Sequence, residues 1–350
     1  ARDYFYKALI SADKTTRDNN YAMTFRGIGQ LMHLVEDMSV PEHTRDDGHY
    51  IFYNYEKWVK DTGTDRLPNV DIDPLAGIVR IRNSDLQNFT VITPVFYDSS
   101  ALGNPNPIVP VPFANLFDTN QYNGTNPSIT LQSNVGLSEY TNANFLSPDT
   151  MFTAAFPYPS WSSVIEYDEI NAVTGRKTTY LRKLGQGETE AGKVGNGEHV
   201  EHLATGRWGF KLLPSWLKQN GIYLKMDEQV YSDYAQKLIP RAVGYSAGLL
   251  NYFFRGTLEI TMPDSYIYSI TDGSVIPQQF TRLNAKVRNT TPNEEIQGCD
   301  IQQQNCIIQA VARYKKRTDY QPDLSTDPPT AGSREPNFSY SVSAPIVITS

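Results

Sequence analysis

The segment from His33 to His43 (HLVEDMSVPEH) places the tightest limits on how this chain can fold locally. Residues four apart share one face of a helix, so the His33 imidazole and the Asp37 carboxylate can converge on one ion. Pro41 has no N–H and disfavours helical backbone before it, so the helix is predicted to end there. His43 can then turn back toward the same cleft. Imidazole and carboxylate together are a ligand set that suits zinc.

The spacing alone leaves a second interpretation of this helix open. An apolar stripe runs from Ile28 to Met38, and His33 and Asp37 lie on the opposite, polar side. On such an amphipathic helix the two residues can form a simple solvated ion pair. Three of the five histidines, however, fall between residues 33 and 49. That clustering favours a site.

The wider pattern is similar to a known family of enzymes. The spacing H-x3-D-x5-H, with proline two residues before the second histidine, resembles the zinc-dependent phospholipase C and single-strand nuclease superfamily, in its bacterial secreted branch. Residues 26–32 (RGIGQLM), 43–47 (HTRDD) and 245–255 (YSAGLLNYFFR) also look like this family. The resemblance implies that His33 and Asp37 serve a close pair of zinc ions, with Asp37 bridging. His43 would then belong to a third zinc.

The resemblance also suggests where the third zinc finds its other ligands. In the family, a histidine and a glutamate four residues apart on the next helix complete its shell. Glu56 matches the glutamate, but the residue four before it is Phe52. His49 is seven residues before Glu56, about 10.5 Å along a continuous helix, so it can bind the same ion only from a loop preceding the helix. The predicted metal ligands are therefore His33, Asp37, His43, Glu56 and His49.

Part of the family's ligand set is missing from the start of this chain. The zinc pair of the family also needs the mature N-terminal residue and further His and Asp ligands upstream, yet residues 1–32 contain no histidine. The chain begins inside a predicted helix, without an initiator Met or a signal-peptide pattern. We therefore expect either a removed N-terminal segment of the precursor that supplies them, giving two or three Zn²⁺ ions, or a degenerate site.

The two cysteines bear on where the protein is located, and the net charge bears on what it can bind. Cys299 and Cys306 can close a short disulfide loop or remain thiols, and the disulfide is the favoured prediction. It predicts an exported protein, secreted or at the cell surface, with the periplasm as second choice. No transmembrane segment is expected. The net charge of −7 argues against a duplex DNA-binding surface, although bound metal ions would still permit phosphodiester cleavage.

The predicted fold class is α+β and multidomain. Residues 1–256 are expected to form a mainly α-helical, phospholipase C-like domain, with long loops at 64–130 and a β- and glycine-rich insertion at 160–215. Alternating apolar residues at 257–350 predict an antiparallel β-sandwich. Helices are predicted near 2–11, 20–39, 50–61, 136–145 and 230–255, and the glycine-rich stretch 185–198 is interpreted as a hairpin or mobile loop.

Other polar residues give weaker signals. His199 and His202 lie next to a glycine-rich stretch and are expected to have a structural or exposed role. Glu139 and Asp149 are interpreted either as polar residues that line a cleft or as a solvated helix face and a turn. Ser246 lies in a G-x-S-x-G sequence, but inside a predicted helix with no preceding strand, so a nucleophile elbow is rejected.

Two classes of function remain at this point. If the site is complete, the resemblance implies hydrolysis of a phosphoester bond by metal-activated water, with a phospholipid or a nucleic-acid phosphodiester as substrate. The alternative is a non-catalytic structural or adhesive surface protein on a degenerate phospholipase C-like scaffold. The missing upstream ligands and the Tyr-, Asn-, Thr- and Pro-rich loops favour it. Self-assembly through the β-domain is a further expectation.

Overall fold

The structure is a computed structural model that mixes helices with small antiparallel sheets, which confirms the α+β class. Its contacts divide the chain into two units, residues 1–31 with 256–350 and residues 32–255. The domain limits drawn from the sequence stay a prediction. The structure describes residues 1–48, 54–65, 70–73, 78–81, 113–132, 134–171, 174–265, 269–272, 274, 279–290, 307–315 and 338–347.

The helices at 2–10, 137–144 and 228–253 lie within two residues of their predicted bounds, whereas the second helix begins at Lys14, six residues before its predicted start. Short helices α3 and α6 accompany five longer ones, and no described helix is long and apolar enough to cross a membrane. The described helices are α1 (Arg2–Ile10), α2 (Lys14–Asp37), α3 (Pro41–Thr44), α4 (Tyr55–Asp65), α5 (Leu137–Asn144), α6 (Ser215–Lys218) and α7 (Glu228–Phe253).

The ends of α2 follow from local chemistry. Asp13 accepts a hydrogen bond from the Thr16 N–H at 2.7 Å, which satisfies one of the free N–H groups at the start of the helix. The helix ends at Asp37, and Pro41 occupies the first position of α3, where its missing N–H costs nothing. The predicted end of the helix before Pro41 is confirmed.

Helix α7 is the main packing element of the unit formed by residues 32–255. Asp227 caps it by accepting the Val230 N–H at 3.1 Å, and the helix packs against β7 (Val200–Gly206) and α4. Ser246 lies well inside the helix and donates its hydroxyl to Glu36 at 3.0 Å. The rejection of a nucleophile elbow at Ser246 is therefore confirmed.

The strands of the same unit form antiparallel pairs and one four-stranded sheet of order β3-β4-β7-β8. The glycine-rich stretch contains the small pair β5–β6, which confirms a hairpin there. A further pair, β1–β2, lies inside the region predicted as long loops. The strands are β1 (Val70–Asp73), β2 (Ile78–Ile81), β3 (Val164–Ile170), β4 (Lys177–Lys183), β5 (Thr189–Glu190), β6 (Lys193–Val194), β7 (Val200–Gly206) and β8 (Leu224–Lys225).

The unit formed by residues 1–31 and 256–350 contains four separate two-stranded antiparallel pairs among its described residues: β9–β12, β10–β11, β13–β16 and β14–β15. Because these pairs are not joined into two packed sheets, the β-sandwich stays a prediction. The strands are β9 (Leu258–Thr261), β10 (Ser269–Asp272), β11 (Gln279–Leu283), β12 (Lys286–Asn289), β13 (Ile307–Ile308), β14 (Val311–Lys315), β15 (Phe338–Val342) and β16 (Ile346–Val347).

Aromatic side chains dominate the core beside the predicted site. Tyr55 on α4 packs against Tyr231 and Tyr234 of α7, with ring centroids 6.0 and 6.2 Å apart. Phe145 meets Tyr234 edge to face at 4.8 Å. Such ring pairs stabilise a core beyond their buried area. They fix the first turn of α4 against α7.

Candidate metal centre

The first predicted ligand pair forms as its spacing requires. His33 and Asp37 lie on the last turns of α2, with 3.6 Å between His33 Nε2 and Asp37 Oδ2. The His33 side chain is 71% exposed and that of Asp37 is 20% exposed. Ile28 and Val35, on the other face of the helix, are buried. The amphipathic arrangement predicted for this helix is confirmed.

The second pair joins His43 and Glu56, which lie on different helices. His43 is on α3 and Glu56 is in the first turn of α4, and their side-chain atoms Nε2 and Oε2 are 3.4 Å apart. No helical spacing relates these two residues. Their proximity therefore depends on what holds α3 against the start of α4.

Glu42 provides that connection. Its side chain is buried, and Oε1 accepts the backbone N–H of Tyr55 at 3.0 Å. A carboxylate at a helix N-terminus also interacts favourably with the helix dipole. Because Glu42 directly precedes His43 and Tyr55 directly precedes Glu56, this hydrogen bond positions the two candidate ligands side by side.

Arg45 anchors the other end of α3. It is fully buried, and its guanidinium donates to Thr150 Oγ1 at 2.8 Å, to the Thr150 carbonyl at 3.0 Å, and to the carbonyls of Asn142 and Tyr158 at 2.9 and 2.8 Å. Its Cζ lies 4.7 Å from the centre of the Phe156 ring. Burial lowers the pKa of Arg45 to about 10, so the side chain stays charged at neutral pH.

A cleft of about 750 Å³ is lined by Asp47 and Asp149, and none of the described candidate ligands His33, Asp37, His43 and Glu56 lines it. Gly48 and Asn54, which stand on either side of residues 49–53, also line it. Asp47 accepts the Asp149 N–H at 2.9 Å, and its nearby carboxylate raises the pKa of the Asp149 side chain. Asp149 lines the cleft and also lies in the turn Pro148–Thr150, so both interpretations of it hold.

Glu139 has a structural role instead. Its carboxylate is buried and accepts backbone N–H groups of Gly136 and Thr119 at 2.8 Å, of Gln121 at 2.6 Å and of Tyr122 at 2.7 Å. It ties the residues before α5 to its first turn. The interpretation of Glu139 as part of a solvated helix face is therefore wrong, because the loop at 119–122 covers it.

The second histidine cluster makes ordinary polar contacts along β7. His199 lies 2.8 Å from Glu188 and 3.1 Å from Glu201, measured from Nδ1 and Nε2. His202 Nε2 lies 3.1 Å from a carboxylate oxygen of Glu169. These contacts join β7 to the hairpin that contains β5 and, across β4, to β3, as the expected structural role requires.

The separations within the two predicted pairs are compatible with a shared zinc ion and equally with a simple ion pair. Two donors bound about 2.0–2.1 Å from a tetrahedral zinc ion lie roughly 3.3–3.4 Å apart. The observed separations of 3.6 and 3.4 Å are close to this value. They are longer than the ~2.7–3.2 Å of direct nitrogen–oxygen hydrogen bonds. Each pair supplies one imidazole and one carboxylate, two of the three protein donors that a catalytic zinc site uses.

No group of three or more His, Cys, Asp or Glu side chains with the arrangement of a metal site is found in the described parts of the chain. His49 lies outside the described residues, as do Cys299 and Cys306 with their predicted disulfide. Comparison of the chain with family models, with curated proteins and with solved structures finds no match.

Three residues that support the site have no role in the sequence-based prediction: Glu42, Arg45 and Asp47. The signal for them is weak but present. They form a charged run directly after Pro41, and charged residues in a helix-ending turn are usually solvated. Here all three are buried.

Proposed function

We propose that this chain binds zinc through His33, Asp37, His43 and Glu56, with His49 as a further ligand. The observation that carries the proposal is the pair of His–carboxylate contacts at zinc-like separations, 3.6 and 3.4 Å. Bound zinc lowers the pKa of a water ligand and stabilises charge on phosphoryl oxygens. The proposed activity is hydrolysis of phosphoester bonds, as in the phospholipase C-type phosphodiesterases that the chain resembles.

The residues around the cleft have supporting roles in this proposal. The cleft is lined by Arg207 and Lys225 together with Asp47 and Asp149. The two cations, Arg207 and Lys225, supply positive charge for an anionic phosphoester. Glu42 positions the second ligand pair through its hydrogen bond to the start of α4. A partner that supplies the remaining ligands is proposed to be the upstream segment of the same precursor.

Metal analysis of the purified chain tests the proposal. Near-stoichiometric zinc is expected by inductively coupled plasma mass spectrometry, and it should be lost in His33→Ala and Asp37→Ala. His199→Ala is the matched control, because His199 also contacts two carboxylates but is not a proposed ligand. A metal-free protein with unchanged folding would contradict zinc binding and support the structural or adhesive alternative.

A second experiment addresses the chemistry. The zinc-loaded chain should release p-nitrophenol from bis(p-nitrophenyl) phosphate, and a chelator should abolish that release. Phosphatidylcholine and single-stranded DNA then separate the two substrate classes. Hydrolysis that survives both the chelator and His33→Ala would refute a role for the metal.

The finer architecture is also a proposal. We infer a phospholipase C-like arrangement for the helical part and an antiparallel β-sandwich for residues 257–350, with export to the cell surface or medium. The support for the sandwich is that every described strand after residue 256 pairs antiparallel. A Cys299–Cys306 disulfide, found by peptide mass mapping without reduction, would agree with export.

A further inference from the structure

Residues 207–223 connect β7 to β8 and contain the short helix α6; this connection is called the loop below. The Arg207 N–H donates to the Tyr223 carbonyl at 2.8 Å and closes the loop at its base. Within the loop, Trp208 is fully exposed, and Leu212, Trp216 and Ile222 are 88%, 73% and 66% exposed. The loop therefore exposes four large apolar side chains to solvent.

The inner side of the loop is held firmly to the sheet. Phe210 is buried, and a Cβ at Gly206 would lie 2.7 Å from its ring, so the backbone and the ring are in close contact. Lys218 lies 5.3 Å from the centre of the same ring and forms a 2.6 Å ion pair with Glu166. The outward side chains are thus displayed by an anchored loop.

The exposure of these tryptophans is unusual within the chain. Of the four tryptophans, Trp58 is 9% exposed, and Trp161 packs edge to face on Phe152 at 5.1 Å. Trp208 and Trp216 are the two left largely in solvent. Exposed apolar clusters on folded proteins mark surfaces that bind something. Tryptophan in particular favours the boundary between water and lipid.

The charge around the loop has the opposite sign to that of the whole chain. Residues 202–226 contain no Asp or Glu and carry four cations, in a chain with a net charge of −7. Lys211 and Lys218 pair with Asp168 and Glu166 of β3, so Arg207 and Lys225 carry the positive charge offered to a partner. Lys211 and Lys225 line a second cleft of about 750 Å³ together with Trp208 and Leu212. The partner that matches this surface is both apolar and anionic.

We propose that this loop docks on an anionic phospholipid bilayer. Trp208, Leu212 and Trp216 enter the headgroup region and the start of the acyl chains, while Arg207 and Lys225 contact lipid phosphates. A single nucleic-acid strand would use the tryptophan rings for stacking but leave Leu212 and Ile222 without apolar contacts. A two-fold contact between copies would bring the cations of the loop face to face.

The loop also borders the cleft described above, because its residues Arg207 and Ile222 line that cleft. Docking would therefore present that cleft to the lipid surface, and this consequence rests on the proposed function. Docking itself does not, since none of its residues is a proposed metal ligand. Vesicle binding is measured without turnover, so the two proposals can fail separately.

Vesicle co-sedimentation of the full chain tests the docking. The chain should sediment with phosphatidylcholine vesicles that contain phosphatidylglycerol, less with phosphatidylcholine alone, and less at high salt. Trp208→Ala/Trp216→Ala should weaken partitioning at least roughly tenfold, and Lys225→Gln roughly fivefold. Leu34→Ala/Val194→Ala, which removes exposed apolar groups elsewhere, is the matched control and should bind normally. A chelator should leave binding unchanged.

Three outcomes overturn the inference. The first is a chain that stays in the supernatant with anionic vesicles. The second is a tryptophan double variant that binds vesicles as well as the unchanged chain. The third is an unchanged chain that ignores vesicles but forms a dimer, seen by light scattering, that the double variant loses. That last result would assign the surface to a contact between copies. Circular dichroism verifies that each variant is folded.

Discussion

Replacing Glu42 by alanine should lower the stability of the chain by removing the hydrogen bond that holds α3 to α4. It removes none of the proposed metal ligands. Glu42 is 1% exposed and accepts the Tyr55 N–H at 3.0 Å. Without it, a buried N–H loses its acceptor, at a cost of about 1–3 kcal/mol. Loss of negative charge at the start of α4 adds about 0.3–1 kcal/mol, and lost methylene burial about 1 kcal/mol. The sum is about 3 kcal/mol.

This loss is large enough to measure by thermal unfolding. One kcal/mol lowers Tm by about 2–4 °C in a unit of 150–250 residues, so Glu42→Ala should lower it by roughly 6–12 °C. Glu42→Gln keeps an acceptor and nearly the same volume, and should stay within about 1 kcal/mol of the unchanged chain. Circular dichroism during heating, with urea titration as a second measurement, gives these values.

Glu56→Ala is the control variant for Glu42→Ala. The Glu56 side chain is 51% exposed and pairs with the partly exposed His43, so its removal should cost less than about 1 kcal/mol. If zinc binds as proposed, Glu56→Ala weakens binding without loss of stability, whereas Glu42→Ala loses both. Equal stability losses in the two variants, or an unchanged Tm in Glu42→Ala, would show that Glu42 does not hold α3 to α4.

Three further predictions follow from buried groups. Arg45→Lys keeps the charge but loses the planar fork that reaches Thr150 and three carbonyls, so the urea midpoint should fall by an amount equivalent to about 2–4 kcal/mol. Burial lowers the pKa of Lys183 to about 7, so the unfolded chain binds more protons above that pH. Stability should therefore rise between pH 7 and about 10.4, and Lys183→Met should abolish that rise in urea midpoints measured across pH. Gly136→Ala would drive a Cβ into the Phe117 carbonyl and should lower Tm through roughly 1–3 kcal/mol of strain, whereas Gly187→Ala meets no neighbouring atom and reports only the strain of a positive φ.

Within residues 32–255, the candidate metal centre and the loop at 207–223 have different proposed roles. The two His–carboxylate pairs are the proposed place for chemistry, and the loop is the proposed place for contact with a lipid surface. The cleft lined by Asp47 and Asp149 also borders the loop through Arg207 and Ile222. A phospholipid held at a bilayer surface would satisfy both proposals, and a soluble phosphodiester would satisfy only the first.

The sequence by itself determines the local parts of this picture. The His33–Asp37 pair follows from a spacing of four on one helix, and the end of α2 follows from Pro41, since both depend on backbone geometry within one or two turns. The helices α5 and α7 and the hairpin β5–β6 are predicted for the same reason. Each is specified by residues close together in the chain.

Only the tertiary structure decides the second pair and the exposed loop. His43 meets Glu56 because Glu42 bonds to Tyr55, thirteen residues away, and because Arg45 reaches groups between 97 and 113 residues along the chain. The pattern of tryptophan and leucine at 207–223 fits a buried segment equally well. These side chains are exposed because Phe210 is the residue of the segment that packs against the sheet, next to Gly206. Whether a side chain is buried depends on which distant parts of the chain pack against it. The spacing of residues along the sequence does not specify those contacts.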